Sequence, residues 1–223
     1  MVIDLGVCVS DPEDLESFVQ MARKIGFTGI ATHNIEGKPD QFFQDGFSVL
    51  RRVDISGRGL KSVRKKVESE RKQVMIVSVT LTSIEIANWA ADNQRVDLLT
   101  LDAFRDYRFR DSTASLAADF NTALEVRFEP LLHSIGLNRS KIIKNYRESI
   151  RTAIDAGMQV ILSSGAKHPL QMRSPTAIQH IGQLLGMKPE YLENAIKRAP
   201  LDIIERNRGR FDPSHVGEGV KIL

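Results

Sequence analysis

Gln73-Val74-Met75-Ile76-Val77-Ser78-Val79-Thr80-Leu81, followed by Thr82-Ser83-Ile84-Glu85-Ile86-Ala87-Asn88-Trp89 and then by Val96-Asp97-Leu98-Leu99-Thr100-Leu101, is the stretch that decides the fold. Its first run is apolar and β-branched nearly throughout, which predicts a strand covered on both faces rather than one wetted on one side. Ser83 suits a helix N-cap, because its hydroxyl can accept from an amide of the first turn, and Ile84, Ile86 and Trp89 follow it. Val96 to Leu101 is again a buried strand. A strand, a helix and a second buried strand make a parallel pair joined by a right-handed crossover.

The same unit recurs on both sides. Val2 to Val9, Phe27 to Ile35, Phe47 to Ile55, Ala123 to Phe128 and Met158 to Ser163 are further apolar runs, bringing the expected strands to seven. Between them Leu15, Phe18, Val19, Ala22 and Ile25 repeat at helical spacing after the cap Asp11-Pro12 and stop at Gly26. Leu60, Val63 and Val67 alternate with Lys61, Arg64, Lys65 and Lys66 as on an amphipathic surface helix. Thr113 to Asn121 and Ser140 to Ala156 are two more helices, the second with Ile143, Tyr146, Ile150 and Ile154 turned inward. Ser174 to Leu185 and Pro189 to Arg206 add C-terminal helices, with prolines placed for a first turn. The expected fold is α/β: a TIM-like (βα) barrel of seven strands with extra C-terminal helices. The first strand is followed by no G-x-G-x-x-G, which counts against a dinucleotide-binding doubly wound sheet. A single domain is expected over 1–208, with 209–223 as a loose C-terminal tail.

The 223 residues suffice for one sizeable core, and 42% hydrophobic with 26% charged residues rules out a disordered chain. There is no long uncharged apolar run, and the start lacks the pattern of a signal peptide. A soluble, cytoplasmic protein is expected. The single cysteine, Cys8, agrees with a reducing compartment. Residues 1–104 hold 13 Lys and Arg against 15 Asp and Glu, whereas 105–223 hold 18 against 13, so a polyanion partner suits the second half better.

In a barrel the chemistry gathers where strands end. Cys8, His33, Asp54, Thr82, Asp102, Arg105, Arg127, Glu129, His133, Ser163, Ser164, Lys167 and His168 all fall there. His33, Asp102, His133 and His168 are the candidate metal ligands, but no H-x-H or H-E-x-x-H fixes any two of them locally, so no metal site and no catalytic residue is assigned. Lys167 as a Schiff-base lysine, and Asp4 with Asp102 as acid and base, are weaker readings. Ser163-Ser164-Gly165-Ala166 suits either a phosphate-holding turn or a plain one. Basic clusters remain: Arg51-Arg52 with Arg58 through Lys66, then Arg105, Arg108 and Arg110 interleaved with Tyr107 and Phe109, then Lys167 with Arg173. Arginine clasps phosphate bidentately and aromatic rings stack on bases, so the 105–110 segment is the most RNA-like, its alternative being a charged loop with Phe109 folded onto the barrel.

Asp4-Leu5, Leu99-Thr100-Leu101-Asp102, and Ser163-Ser164-Gly165-Ala166 with Arg173-Ser174-Pro175 together resemble the family of ribonuclease P protein component 3, over nearly the whole chain. That family is similar to the metal-dependent PHP phosphoesterases, whose first strand carries a histidine pair; here the stretch reads Asp4-Leu5-Gly6-Val7-Cys8 and the pair is missing. The resemblance implies a protein subunit that assists a catalytic RNA in removing the 5′ leader of precursor tRNA, not a catalyst alone. Magnesium then belongs to the RNA, and no cofactor is expected on this chain. It also implies ribonuclease P RNA, precursor tRNA through the complex, a Pop5-like subunit and other protein subunits as partners. Apolar helix faces and the long second loop are the places for a protein interface. Arg105, Arg108, Arg110, Arg127, Lys167 and Arg173 are the expected RNA-binding residues, since all lie near strand ends. An independent PHP-like phosphoesterase and a scaffold that binds only proteins are the rival readings.

Overall fold

Seven parallel strands and their covering helices make up the computed structural model, which describes residues 1–43, 45–104, 107–211, 215–217 and 220–221, the last two segments as backbone alone. In chain order the first half holds β1 (Ile3–Asp4), α1 (Leu15–Lys24), β2 (Gly29–Thr32), β3 (Asp40–Phe42), β4 (Ser48–Ile55), α2 (Leu60–Glu70), β5 (Ile76–Thr80), α3 (Ile84–Ala91) and β6 (Leu98–Thr100). The second holds α4 (Asp111–Asp119), β7 (Ala123–Arg127), α5 (Glu129–His133), α6 (Gly136–Asp155), β8 (Val160–Ser163), α7 (Pro175–Leu184), α8 (Pro189–Glu193) and α9 (Ala199–Phe211), followed by β9 (His215–Gly217) and β10 (Val220–Lys221). The parallel path runs β1-β2-β4-β5-β6-β7-β8, and β3 is added antiparallel on β4. All seven expected strands are present.

The caps read from the sequence form as expected. Asp11 accepts from the Glu13 amide at 3.0 Å and opens a short turn into α1, Ser83 accepts from the Ile86 amide at 3.2 Å, and Ser174 accepts from the Ala177 amide at 3.2 Å. Gly26, at φ +98°, ends α1 in the left-handed conformation that favours glycine. Three features differ from expectation. Strand β3 arises inside the polar 37–46 segment, α5 inserts a turn after β7, and α6 begins at Gly136 rather than Ser140. Within the stretch expected as a tail from 209, α9 runs on to Phe211 and β9 pairs antiparallel with β10.

Between β8 and β1, where a closed barrel would have an eighth strand, single bonds take the place of a ladder. The Cys8 amide donates to the Ala166 carbonyl at 2.8 Å, and the Ser164 amide to Asp4 Oδ1 at 3.1 Å. A π-helical turn, Asn194–Arg198, packs over this seam against both strands. The barrel is therefore nearly closed.

Alternation along each strand splits the core in two. Val49, Val77, Val79, Leu99, Leu124, Val126 and Leu162 face the surrounding helices. Ile3, Leu50, Ile76, Leu98, Ala123 and Ile161 face inward near the N-terminal ends of the strands, where Ala199, Ile203 and Ile204 of α9 close the barrel from below. Asp97, just ahead of β6, ties this floor together, accepting from Arg71 at 2.6 Å, Asn207 at 2.9 Å, Arg206 at 3.1 Å and the Val77 amide at 2.8 Å. Among the described residues no helix is long and apolar enough to cross a membrane.

Candidate RNA-binding face at the barrel mouth

Above the aliphatic floor the same inward positions become polar. Going up each strand, Leu50 gives way to Arg52 and Asp54, Ile76 to Ser78, Leu98 to Thr100, Ala123 to Glu125 and Arg127, and Ile161 to Ser163. Strand register sets these side by side, with Asp54 beside Ser78, Thr100 beside Glu125, and Arg127 beside Ser163. Glu125 is the hub. Its carboxylate accepts from both terminal nitrogens of Arg52, at 2.7 and 2.5 Å, from Thr100 Oγ1 at 2.6 Å, from Ser163 Oγ at 2.8 Å and from Arg127 Nε at 3.2 Å. Arg52 also donates to the Leu5 carbonyl, and Thr100 shares a 2.5 Å hydrogen bond with Ser78. One step nearer the mouth, Asp54 Oδ1 accepts from Arg52 Nε at 2.8 Å and from Arg127 at 2.7 Å. Two guanidiniums and two carboxylates thus form one neutral interior cluster.

Burial by itself would raise the Glu125 carboxyl, but Arg127 and Arg52 outweigh it and hold the group down at about 2. Asp54 is held below the carboxylate range against the same desolvation, by Arg52 and Arg127. Asp4 goes the other way: sealed in the seam, its carboxyl is pushed up by burial despite hydrogen bonds from Gly6 and Ser164. A group enclosed there has no access to a substrate, which removes the reading of Asp4 and Asp102 as an acid and base pair. Asp102 lies at the loop after β6, accepting from the Phe104 amide at 3.1 Å.

The expected RNA contacts separate into different environments. Arg108 and Arg110 are exposed at the entry to α4, and Lys167 is exposed beside Glu129, 3.0 Å from its carboxylate. Arg173 is partly exposed and donates to the carbonyls of Leu170 and Met172. Arg127 is turned into the barrel and committed to Asp54 and Glu125. Arg105 lies outside the described residues. Phe109 is buried in the core, so the folded-back alternative holds for that ring, while Phe104 stands in solvent instead. An exposed Lys167 also lacks the desolvated pocket a Schiff-base lysine needs.

Arg108 lies on a groove of about 650 Å³ between the loop after β6 and helix α6, which Phe104, Tyr107, Lys141, Lys144 and Asn145 also line. A second basic face, Lys61, Arg64, Lys65 and Lys66, lies exposed along α2, with Arg64 5.5 Å over the Trp89 ring. Arg51 and Arg52, grouped with this face by sequence, part company, as alternation requires: Arg51 reaches the Gly37 carbonyl outside while Arg52 is inside. The serine-rich turn is structural. Ser164 and Ala166 amides are taken up by Asp4 and by Ser164 Oγ, and Gly165, at φ +66°, sits where a Cβ would be strained and crowded between Arg127 and Glu129.

The profile of the family described as RNase P subunit p30 matches residues 1–212. This chain belongs to that family. Membership makes it a protein subunit of the ribonuclease P complex, an endoribonuclease that processes tRNA. Ribonuclease P protein component 3 of Methanosarcina barkeri is 29% identical, across 97% of this chain and 94% of its own length. The protein of that name from Methanosarcina acetivorans is 26% identical, across 92% and 87%. In fold, this p30-family chain superposes on a chain of an archaeal ribonuclease P solved with mature tRNA, with a TM-score of 0.82, 20% identity, and 99% and 97% of the two chains covered. An amidohydrolase shares the barrel more distantly, with a TM-score of 0.57 at 13% identity.

Of the candidate metal ligands in this p30-family chain, His133 is exposed at the end of α5 and His168 on the loop after β8, where His168 Nδ1 instead accepts from the Leu170 amide. His33 meets a different pair. Ligand atoms of Cys8, His33 and Asp54 lie within 4.8 Å of one another, and His33 Nδ1 is 3.8 Å from Asp54 Oδ2. Glu125 was not singled out from the sequence, and Arg52 was counted only as part of a basic cluster, not as an inward residue. Their signal is a polar residue at every second position of several strands at once, which a reading run by run does not collect.

Proposed function

We propose that this ribonuclease P subunit is not itself a catalyst and that it assists the catalytic RNA in endonucleolytic removal of the 5′ leader of precursor tRNA, in the cytoplasm. The observation that carries this reading is the contrast between the inside and the rim of the barrel. Where a barrel enzyme keeps its reacting groups, Arg52, Glu125, Arg127 and Asp54 are bound to one another. On the rim, Arg108, Arg110, Lys167, Arg173, Lys141 and Lys144 reach outward. Those side chains suit phosphate oxygens, which position an RNA without reading its sequence. Arg127 then supports the mouth from inside rather than touching RNA.

Magnesium in this reading is held by the RNA. A Pop5-like subunit is the protein neighbour, and four apolar side chains, each about 70–80% exposed, support a protein contact: Phe104 after β6, Ile135 and Leu137 at the start of α6, and Leu170 after β8. The deciding experiment reconstitutes precursor-tRNA cleavage from the catalytic RNA and the other subunits, with and without this chain, beside the chain alone with divalent metal. Faster cleavage, or a lower magnesium requirement, in the full mixture only is the expected result. Phosphoester hydrolysis by the isolated chain would move the assignment to a PHP-like phosphoesterase. Cleavage indifferent to replacement of Arg108, Arg110, Lys167 and Arg173 together, with protein pairing intact, would leave a scaffold for proteins.

A further inference from the structure

Cys8 follows β1, His33 follows β2 and Asp54 lies near the end of β4, three consecutive strands of the parallel path. Each offers one ligand atom, and the three atoms lie within 4.8 Å of one another. A tetrahedral ion with bonds of about 2.0–2.3 Å sets its ligands roughly 3.5 Å apart, so no two of these atoms need approach by more than about 1.3 Å. The imidazole and carboxylate are already near that spacing, at 3.8 Å, too long for a hydrogen bond between them. Within the partly exposed His33 side chain, the Nδ1 atom itself is covered and has no hydrogen-bond partner.

We infer that Cys8, His33 and Asp54 form a zinc site at the barrel mouth, with an open fourth position on the solvent side. Sulfur, imidazole and carboxylate together match the borderline-soft preference of zinc and not the all-oxygen preference of magnesium or calcium. The surroundings support the ligands in the way metal sites require. Arg52 and Arg127 both bind Asp54 Oδ1, which fixes the carboxylate and leaves Oδ2 turned toward His33. Those arginines are matched in charge by Asp54 and Glu125, so an incoming dication with a Cys8 thiolate adds a net charge of about +1. His33 and Asp54 keep 30% and 24% side-chain exposure, enough for an ion and a water to enter from the mouth. This departs from the expectation of no metal on the chain, and it does not depend on how the protein meets RNA.

The test uses the full chain, stripped with a chelator and titrated with zinc in competition with a chromophoric chelator, and separately with cobalt. One equivalent should bind, and cobalt should show tetrahedral visible absorption with a thiolate-to-cobalt charge-transfer band. Cys8→Ser should abolish that band. His33→Gln should weaken zinc binding by more than the roughly 10–100-fold that loss of an outer-shell partner costs. Binding below one equivalent, or a cobalt spectrum unaltered by Cys8→Ser, would overturn the assignment. Should Cys8→Ser not fold, alkylation of Cys8 in the unmodified chain decides: zinc slows it if the site is real and leaves the rate unchanged if it is not.

Discussion

Glu125 receives hydrogen bonds from Arg52, Thr100, Arg127 and Ser163 and is wholly buried, so each of its oxygens is committed. Removing its charge leaves the buried Arg52 with only the flank of Asp54 as counter-ion, and breaking a buried pair in this way costs about 3–5 kcal/mol. Glu125→Gln should therefore lower unfolding stability by that order in urea titrations at neutral pH, and a change below about 1 kcal/mol would mean the cluster is solvated. The acid range carries a second signature. Burial raises the Glu125 carboxyl, and the arginines overcome this to bring it to about 2, below its ordinary 4.5. A folded-state value below the unfolded one means that the unfolded chain binds more protons between the two, so stability rises with pH. The contribution of Glu125 is complete above about pH 4.5 and is lost as pH falls toward 2. Unfolding titrations from pH 7 down to pH 3 should show this decline in the natural chain and a shallower one in Glu125→Gln.

At the scale of elements, the π-helical turn Asn194–Arg198 covers the seam where an eighth strand would lie, and α9 closes the floor of the barrel. Ile203 and Ile204 fill the floor, and Arg206 and Asn207 reach Asp97. Ile203→Ala should cost about 2–5 kcal/mol, the range for truncating a buried branched side chain, read as a shift of the urea midpoint at constant slope. Rim residues lie at the opposite end of the strands, so RNA affinity of the folded variant should be unchanged. A loss of affinity without a loss of stability would show that α9 itself touches the RNA. The seven strands and their helices were readable because each sits inside a longer patterned run: Gln73–Leu81 and Ser140–Ala156 each repeat one pattern over several turns or pleats. Elements made by distant contacts were not. Asp40-Gln41-Phe42 becomes a strand only because β4 offers it an edge and Arg208 holds Asp40 at 2.6 Å, contacts distant in sequence. Of the expected RNA contacts, Arg108, Arg110 and Lys167 were chosen by charge alone, and the fold leaves them exposed. Arg127 was chosen the same way, but charge says nothing of the alternation that turns it inward beside Glu125, and the meeting of Cys8, His33 and Asp54 depends on strand order, which no local spacing encodes.

For the whole molecule, the question is which of two basic faces meets a polyanion. The excess of Lys and Arg in 105–223 puts Arg108, Arg110, Lys167 and Arg173 on the rim, while Lys61, Arg64, Lys65 and Lys66 form the compact stripe on α2. Density favours the stripe; position favours the rim, because loops after β6, β7 and β8 also carry Phe104 and the groove along α6. Counterion release separates the two. Each phosphate neutralised contributes roughly 0.7–0.9 to the slope of log affinity against log salt, so losing four contacts should flatten it by about 3. We expect that flattening, with weaker binding at every salt concentration, when Arg108, Arg110, Lys167 and Arg173 are all changed to alanine and ribonuclease P RNA is titrated in the presence of the partner subunits. The matching quadruple change on α2 should move the slope by less than one, since exposed lysines that touch nothing release nothing. The reverse pattern would place the RNA along α2 and leave the rim, with its apolar side chains, to a protein neighbour.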